Sequence, residues 1–340
     1  MRLLAAPDKF RGTLSALDVA LAIELGAAGH GFDVDLCPLS DGGEGFRSVF
    51  PGAVVTAAVH GPLGEPLTAP FTRLEDLAVV EMADAAGRHL LPHPQGDDPL
   101  MASTRGVGEL IGAAFDDGAR TVIVGCGGSA TTDGGHGAVE VLRNRFNPTS
   151  QRLIAATDVT TKFCDAAAQF APQKGASLEQ IIILEQRLKT LVDQYRTAFG
   201  VDVSQIPRSG AAGGLAGGLL ALGGEVCSGF SLVANAVDLE RRIHEADLVV
   251  TGEGGLDATT LEGKTVSTLL AMVGAQTPVL VITGTSDPGV TSLLEADPAH
   301  DCTVISLRES MGLPRALAET ATGVQEAVGH FLDQRWPRNT

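Results

Sequence analysis

Residues 246–283 read ADLVVTGEGGLDATTLEGKTVSTLLAMVGAQTPVLVIT. The segment opens on an apolar, β-branched run, Asp247–Thr251 (DLVVT), and passes through glycines mixed with acids and hydroxyls. Thr265–Val273 then has helical composition, Gly274, Gln276 and Pro278 end it, and Pro278–Thr283 (PVLVIT) forms a second strand. A strand, a helix and another strand in this span predict a βαβ unit, whose two strands lie parallel. The rhythm continues on both sides. Cys302–Ser306 (CTVIS) predicts a further strand and Ala316–Leu332 a helix behind it. At the other end of the chain, Leu3–Ala6 and Asp33–Pro38 predict strands separated by a helix over Leu14–Gly26.

The middle is patterned differently. Residues 53–80 hold short alternating runs and the turn-rich HGPLGEPL, which predict antiparallel strands. A helix over Val107–Phe115, a strand over Thr121–Gly125 and a helix after Gly137 follow. A strand over Leu153–Thr157 and a long helix over Leu178–Ala198 come next. The expected fold class is α/β in two domains. Residues 1–52 and 240–340 form a Rossmann- or flavodoxin-like parallel-sheet domain, and residues 53–239 an inserted mixed α/β domain.

Composition agrees with that class. Hydrophobic residues make up 44% of the 340 and aromatics only 4%, so the cores must be built from Ala, Val, Leu and Ile. Such side chains suit helices packed on a parallel sheet. A formal net charge of −17 repels nucleic-acid phosphates and anionic lipid, so neither is an expected partner. An anionic small-molecule substrate would therefore depend on a few local cations and backbone N–H groups. Cys37, Cys126, Cys164, Cys227 and Cys302 are widely spaced and odd in number, which predicts reduced thiols and a cytoplasmic location. Charges at Asp8 and Lys9 come too early for a signal peptide.

Four glycine-rich loops follow predicted strands, the place where open α/β sheets bind ligands. Pro7–Thr13 (PDKFRGT) sets Asp8, Lys9 and Arg11 at the mouth of a helix; capping by Thr13 or Ser15 explains this segment equally well. Pro38–Phe46 (PLSDGGEGF) offers Ser40, with Asp41 suited to act as a general base and either acid to hold Mg²⁺. Gly125–Gly135 (GCGGSATTDGG) begins like a dinucleotide fingerprint. However, Gly134-Gly135 interrupts the helix that should follow, and no acid stands at the required spacing. A phosphate-binding loop fits it better, with backbone N–H groups joined by the hydroxyls of Ser129, Thr131 and Thr132. Thr251–Thr265 ends in Gly263-Lys264-Thr265, but Ala258 stands where a Walker loop needs glycine. Lys264 still suits a phosphate, and Glu253 and Asp257 suit a metal or a base.

Two further segments precede helices. Lys174 in Gln173–Ser177 is a candidate phosphate contact or part of a capped helix start, and Ser209–Leu215 (SGAAGGL) is better explained by close packing than by anion binding. His89 and His93 have a zinc-like spacing, but Pro92 between them disfavours the necessary helix. The inventory of backbone donors, scattered cations and carboxylates suits phosphoryl transfer.

APDKFRGTLSA, PLSDGGEG, GGSATTDGG, APQKGAS, GAAGGLAGGLL and ADLVVTGEGGLDATTLEGK resemble, in order, the signature blocks of the bacterial glycerate kinase family. The resemblance runs from about Leu3 to Leu307 and implies ATP-dependent phosphorylation of D-glycerate with Mg²⁺, usually to 2-phosphoglycerate. It also implies two α/β domains with the active site in a cleft between them; a homodimer is a candidate assembly. On this reading Asp41 and Lys9 are catalytic, and Arg11, Ser40 and Asp257 bind substrate. Gly127, Gly128, Ser129, Thr131 and Lys264 bind the nucleotide, and Asp133 and Glu253 hold the metal. The sequence departs from the family pattern at Thr132, usually Asn, at Thr259, usually Gln, and at Thr160–Lys162, usually Asn-Pro-Leu. The stretch between Leu142 and Leu153 is also shortened. Lost amides change what a loop can hydrogen-bond, which motivates a different hydroxy acid or sugar acid as an alternative substrate. A non-catalytic nucleotide sensor is the alternative from another class.

Overall fold

A computed structural model describes residues 1–91, 99–262 and 265–337 of the chain. Its strands are, in chain order, β1 (Arg2–Ala5), β2 (Asp33–Leu36), β3 (Ala53–His60), β4 (Pro66–Leu74), β5 (Leu77–Glu81), β6 (Thr121–Gly125), β7 (Arg152–Ala156), β8 (Glu225–Cys227), β9 (Leu248–Leu256), β10 (Val279–Ser286) and β11 (Cys302–Ser306). They belong to two compact units, one made of Met1–Asp41 and Phe230–Thr340, the other of Gly42–Gly229. The architecture is α/β in both.

The first unit holds a five-stranded sheet in the order β11-β10-β9-β1-β2, parallel throughout. Leu3, Val250, Leu280 and Ile282 of the sheet pack with Val19 and Ile23 of the helix Ala16–Ala27. Val324, Val328 and Phe331 of the helix Thr320–Arg335 complete that core. The alternate strand residues Leu4, Val249 and Val281 are also fully buried, so both faces of the central strands are covered. Ser15 and Asp18 form a capping box that starts the first helix. The helix expected over Ala316–Leu332 is two helices, Leu313–Ala318 and Thr320–Arg335, separated at Glu319.

Strand β9 runs on through Gly252–Leu256, where the glycines predicted a loop, and β10 extends with it to Ser286. Close backbone approach explains the glycines. A Cβ on Gly252 would lie 2.1 Å from the Ile282 carbonyl oxygen, and one on Gly284 2.6 Å from that of Gly254.

The second unit holds a six-stranded sheet in the order β3-β4-β5-β6-β7-β8. The pairs among β3, β4 and β5 are antiparallel and the rest parallel, because a hairpin meander gives way to helical crossovers after Glu81. Its core gathers Phe71, Val80, Val122, Val124 and Leu153 with Leu110 and Ile111 of the helix Arg105–Asp116. Leu188 and Leu191 of the helix Leu178–Phe199 and Leu215 and Leu219 of the helix Leu215–Ala221 join them. The short strand β8 has no counterpart in the sequence reading. The division into units falls at Asp41 and Phe230, whereas the sequence placed it near residues 53 and 239. Residues 42–50 pack with the second sheet: Glu81, at the end of β5, accepts the Gly45 and Arg47 N–H groups at 3.1 and 2.8 Å.

Candidate active site

In the first unit the chemistry gathers at the carboxyl ends of β1, β2 and β9. The chain leaving β1 is tied to β9 by the Ala6 and Asp8 N–H groups, which donate to the Val250 and Gly252 carbonyls. The Thr251 hydroxyl returns a bond to the Ala6 carbonyl. Asp8 is thereby buried, and its two oxygens accept the Lys9 N–H at 2.7 Å and the Thr265 hydroxyl at 2.9 Å. The Lys9 ammonium lies between two carboxylates, 3.5 Å from Asp8 Oδ1 and 3.6 Å from Asp41 Oδ1. Burial raises the Asp8 pKa above the usual carboxylate value, Lys9 opposes the rise, and the Asp41 charge adds to it.

Glu253 is buried beside them on β9 and accepts the Thr260 hydroxyl at 3.0 Å. Asp257 donates its N–H to the same hydroxyl oxygen, while its side chain is exposed. The Ser40 hydroxyl is almost wholly buried with no hydrogen-bond partner among the described residues, an arrangement that a bound polar group would relieve. Arg11 is exposed. Lys264 and His93 lie outside the described residues. The structure thus brings Lys9 and Asp41 together and places Glu253 on a strand of the same sheet.

In the second unit the loop after β6 is fastened on several sides. The N–H groups of Gly127, Ala130 and Gly134 donate to the carbonyls of Gly42, Ala86 and Gly213. Gly128, at φ +70°, turns the chain. The N–H groups of Gly128 and Ser129 have no partner among the described residues, so two donors in succession remain for an anion. Thr131 is fully buried and its hydroxyl has no partner among the described residues. Asp133 serves as an internal anchor. Its carboxylate accepts the N–H and hydroxyl of Thr104, both at 2.8 Å, and the N–H groups of Gly135 and Gly137 at 3.1 and 3.2 Å. Four protein donors leave it a poorer metal ligand than its motif predicts.

Sequence reasoning missed three supports of these loops. Asp8 read only as one of the charges at a helix mouth, Glu81 went unread, and Lys174 read as a phosphate contact or a helix start. Lys174 is buried and donates its ammonium to the Thr131 carbonyl, behind the loop. Burial lowers its pKa to about 7, Asp133 resists the shift, and Arg88 adds to it. Tyr195 completes the support with a 2.9 Å hydrogen bond to the Gly134 carbonyl. The one available signal was an acid or lysine ending an otherwise apolar or small-residue run, as in LAVVE and APQK. Among the described residues no group of three His, Cys, Asp or Glu side chains is arranged to hold a metal ion. No described helix is long and apolar enough to cross a membrane.

Known proteins share this sequence and fold. The profile of the Glycerate kinase family matches residues 3–152 and 144–334. Glycerate kinase of Bacillus subtilis (strain 168) is 38% identical over 325 residues, covering 84% of this chain and 85% of its own. Glycerate 2-kinase of Escherichia coli (strain K12) is 37% identical over 304 residues, covering 78% and 80%. The crystal structure of a provisionally assigned glycerate kinase 2 from Salmonella typhimurium LT2 superposes with a TM-score of 0.79 at 30% identity, over 98% of each chain. The matches extend across both units, through the loops that carry Lys9, Asp41, Gly127 and Glu253, and the chain is an enzyme of the glycerate kinase family.

Proposed function

We propose that the chain transfers the γ-phosphoryl group of ATP to a hydroxyl of D-glycerate, giving 2-phosphoglycerate and ADP. The observation that carries this reading is the Asp8–Lys9–Asp41 row, a cation held between two carboxylates at the end of a parallel sheet. Asp41 would take the proton of the attacking hydroxyl. The hydroxyl oxygen then bonds to the γ-phosphorus as its bond to the bridging oxygen breaks, and the electron pair leaves with ADP. Lys9, 3.6 Å from Asp41 Oδ1, would offer positive charge, with Arg11, to the substrate carboxylate or a phosphoryl group. Ser40, with its unsatisfied hydroxyl, and Asp257 are the proposed substrate contacts in the same unit.

The N–H groups of Gly128 and Ser129 would donate to phosphoryl oxygens, with Gly127 and Thr131 shaping the loop and Lys264 as a further cation. The oxygen-only donor set fits Mg²⁺, which takes one or two carboxylates and leaves its other positions to water and phosphate. Glu253, buried on β9, and Asp133, whose oxygens already accept four protein donors, are the proposed carboxylate ligands. When bound, Mg²⁺ would neutralise charge on the phosphates. A coupled ADP-release assay with D-glycerate and Mg·ATP tests the reading. Well-folded protein that releases no ADP would refute it. Turnover with another hydroxy acid but not D-glycerate would keep the chemistry and change the substrate.

A further inference from the structure

Arg208 stands at φ +71°, the left-handed region that strains an L side chain and is normally given to glycine. A large residue kept in such a conformation points to a use for its side chain. Its guanidinium reaches the carboxyl end of β7, where Nη1 donates to the Thr157 carbonyl and lies 3.3 Å from Asp158 Oδ1. The Asp158 side chain is 8% exposed and that of Arg208 31%, so the acid is buried behind a cation that solvent can reach. Nε and Nη2 have no hydrogen-bond partner among the described residues. Together they form the edge of the guanidinium that pairs with both oxygens of a carboxylate.

The backbone fixes this group against two features already singled out. The Arg208 and Gly210 N–H groups donate to the carbonyls of Thr160 and Thr161, within the segment that departs from the family pattern. At the same strand end, a Cβ on Gly42 would come within 2.7 Å of the Ala156 carbonyl oxygen. Gly42, which follows Asp41, therefore touches β7 one residue before Thr157.

We propose that Arg208 is a substrate-binding, specificity-determining residue whose Nε and Nη2 take the carboxylate of the hydroxy acid. Asp158 orients the guanidinium. It also brings the pair to no net charge, which suits a monoanion better than a polyphosphate. The proposal rests on the kinase reading above and assigns the residue that recognises the acceptor in that reaction.

Arg208→Gly provides the test, because glycine accepts the backbone conformation and removes the fork. Glycine relieves the backbone strain but leaves the buried Asp158 carboxylate and the Thr157 carbonyl without this donor, so the unfolding temperature is measured beside KM to show that the variant is folded under assay. Its KM for D-glycerate should rise roughly ten- to a hundredfold, the size expected from losing a charge-assisted pair, while KM for ATP stays unchanged. Preference for D-glycerate over uncharged glycerol should fall with it. Arg208→Asn, whose side chain also tolerates this conformation, should behave alike and serves if the glycine variant unfolds early. An unchanged KM for D-glycerate, or a rise confined to ATP, overturns the proposal. The rise in unfolding temperature on adding D-glycerate supplies a readout independent of turnover. Its presence in wild type and loss in Arg208→Gly would support Arg208 even if no ADP forms and the kinase reading fails. Its absence from inactive wild type would overturn both.

Discussion

Lys174 has 4% of its surface exposed, and its ammonium is used on the backbone of the loop after β6. Its pKa falls from 10.5 to about 7 in the folded protein because burial disfavours the charged form. Between those values the unfolded chain binds a proton that the folded chain has released, so this lysine's contribution to stability increases with pH. Below about pH 7 both states are protonated and the burial penalty is present in full. Denaturant unfolding of wild type and Lys174→Met should therefore show wild type gaining on the variant from pH 7 to pH 10, with little change from pH 6 to pH 7. Parallel curves across the window would refute the assignment. Asp41 makes a different demand, since 31% of its side chain is exposed and its proposed task is proton transfer. Asp41→Asn should lower kcat roughly 10²- to 10⁴-fold with little change in the unfolding midpoint. Near-normal turnover in that variant would remove Asp41 from the role of base.

Among the elements, the loop after β6 and the turn before the helix Leu215–Ala221 meet backbone to backbone. Ala212, Gly213 and Gly214 are all left-handed, and a Cβ on Gly213 would sit 2.1 Å from the Thr131 carbonyl oxygen, the acceptor of Lys174. Gly213→Ala should destabilise the fold by roughly 2–4 kcal/mol, through both backbone strain and displacement of that loop. Gly200→Ala is the matched control, at φ +76° with nothing within 4 Å of a Cβ, and should cost only about 1–2 kcal/mol. Equal losses in the two variants would show that the close approach is unimportant. This pair of segments also marks the limit of what sequence carries. Apolar runs such as DLVVT and PVLVIT were legible as strands because parallel sheets bury both faces. The three half-exposed residues of β8 gave no such signal, and the glycines of β9 looked like a loop because close strand approach and turning select the same residue. For the candidate site, the motifs singled out Lys9, Asp41 and the Gly127–Thr131 loop. Asp8 with Thr265 and Lys174 with Thr131 depend on contacts 257 and 43 residues apart, which local pattern does not encode.

At the scale of the whole molecule, the second unit is continuous in sequence while the first is assembled from two segments. The core cluster of the second unit runs from Val59 to Leu222, and all six strands of its sheet pair with one another. Residues 42–229 should therefore fold when expressed alone, with a single cooperative denaturant transition. The boundary matters, because Phe46 is fully buried, Phe50 is nearly so, and Glu81 is buried against the Gly45 and Arg47 N–H groups. A fragment beginning at residue 53, where the strand pattern begins, loses both aromatic side chains. It also leaves the Glu81 carboxylate, whose pKa burial already raises, without those two donors. Removing a buried Phe costs roughly 1.5–3 kcal/mol and orphaning a buried acceptor roughly 1–3 kcal/mol. Fragment 53–229 should thus be less stable than 42–229 by at least about 3 kcal/mol in urea unfolding. Glu81→Gln should narrow the gap, since a neutral amide loses less than a carboxylate when the two N–H donors are gone. Two fragments of equal stability would refute the assignment of residues 42–50 to the core of the second unit.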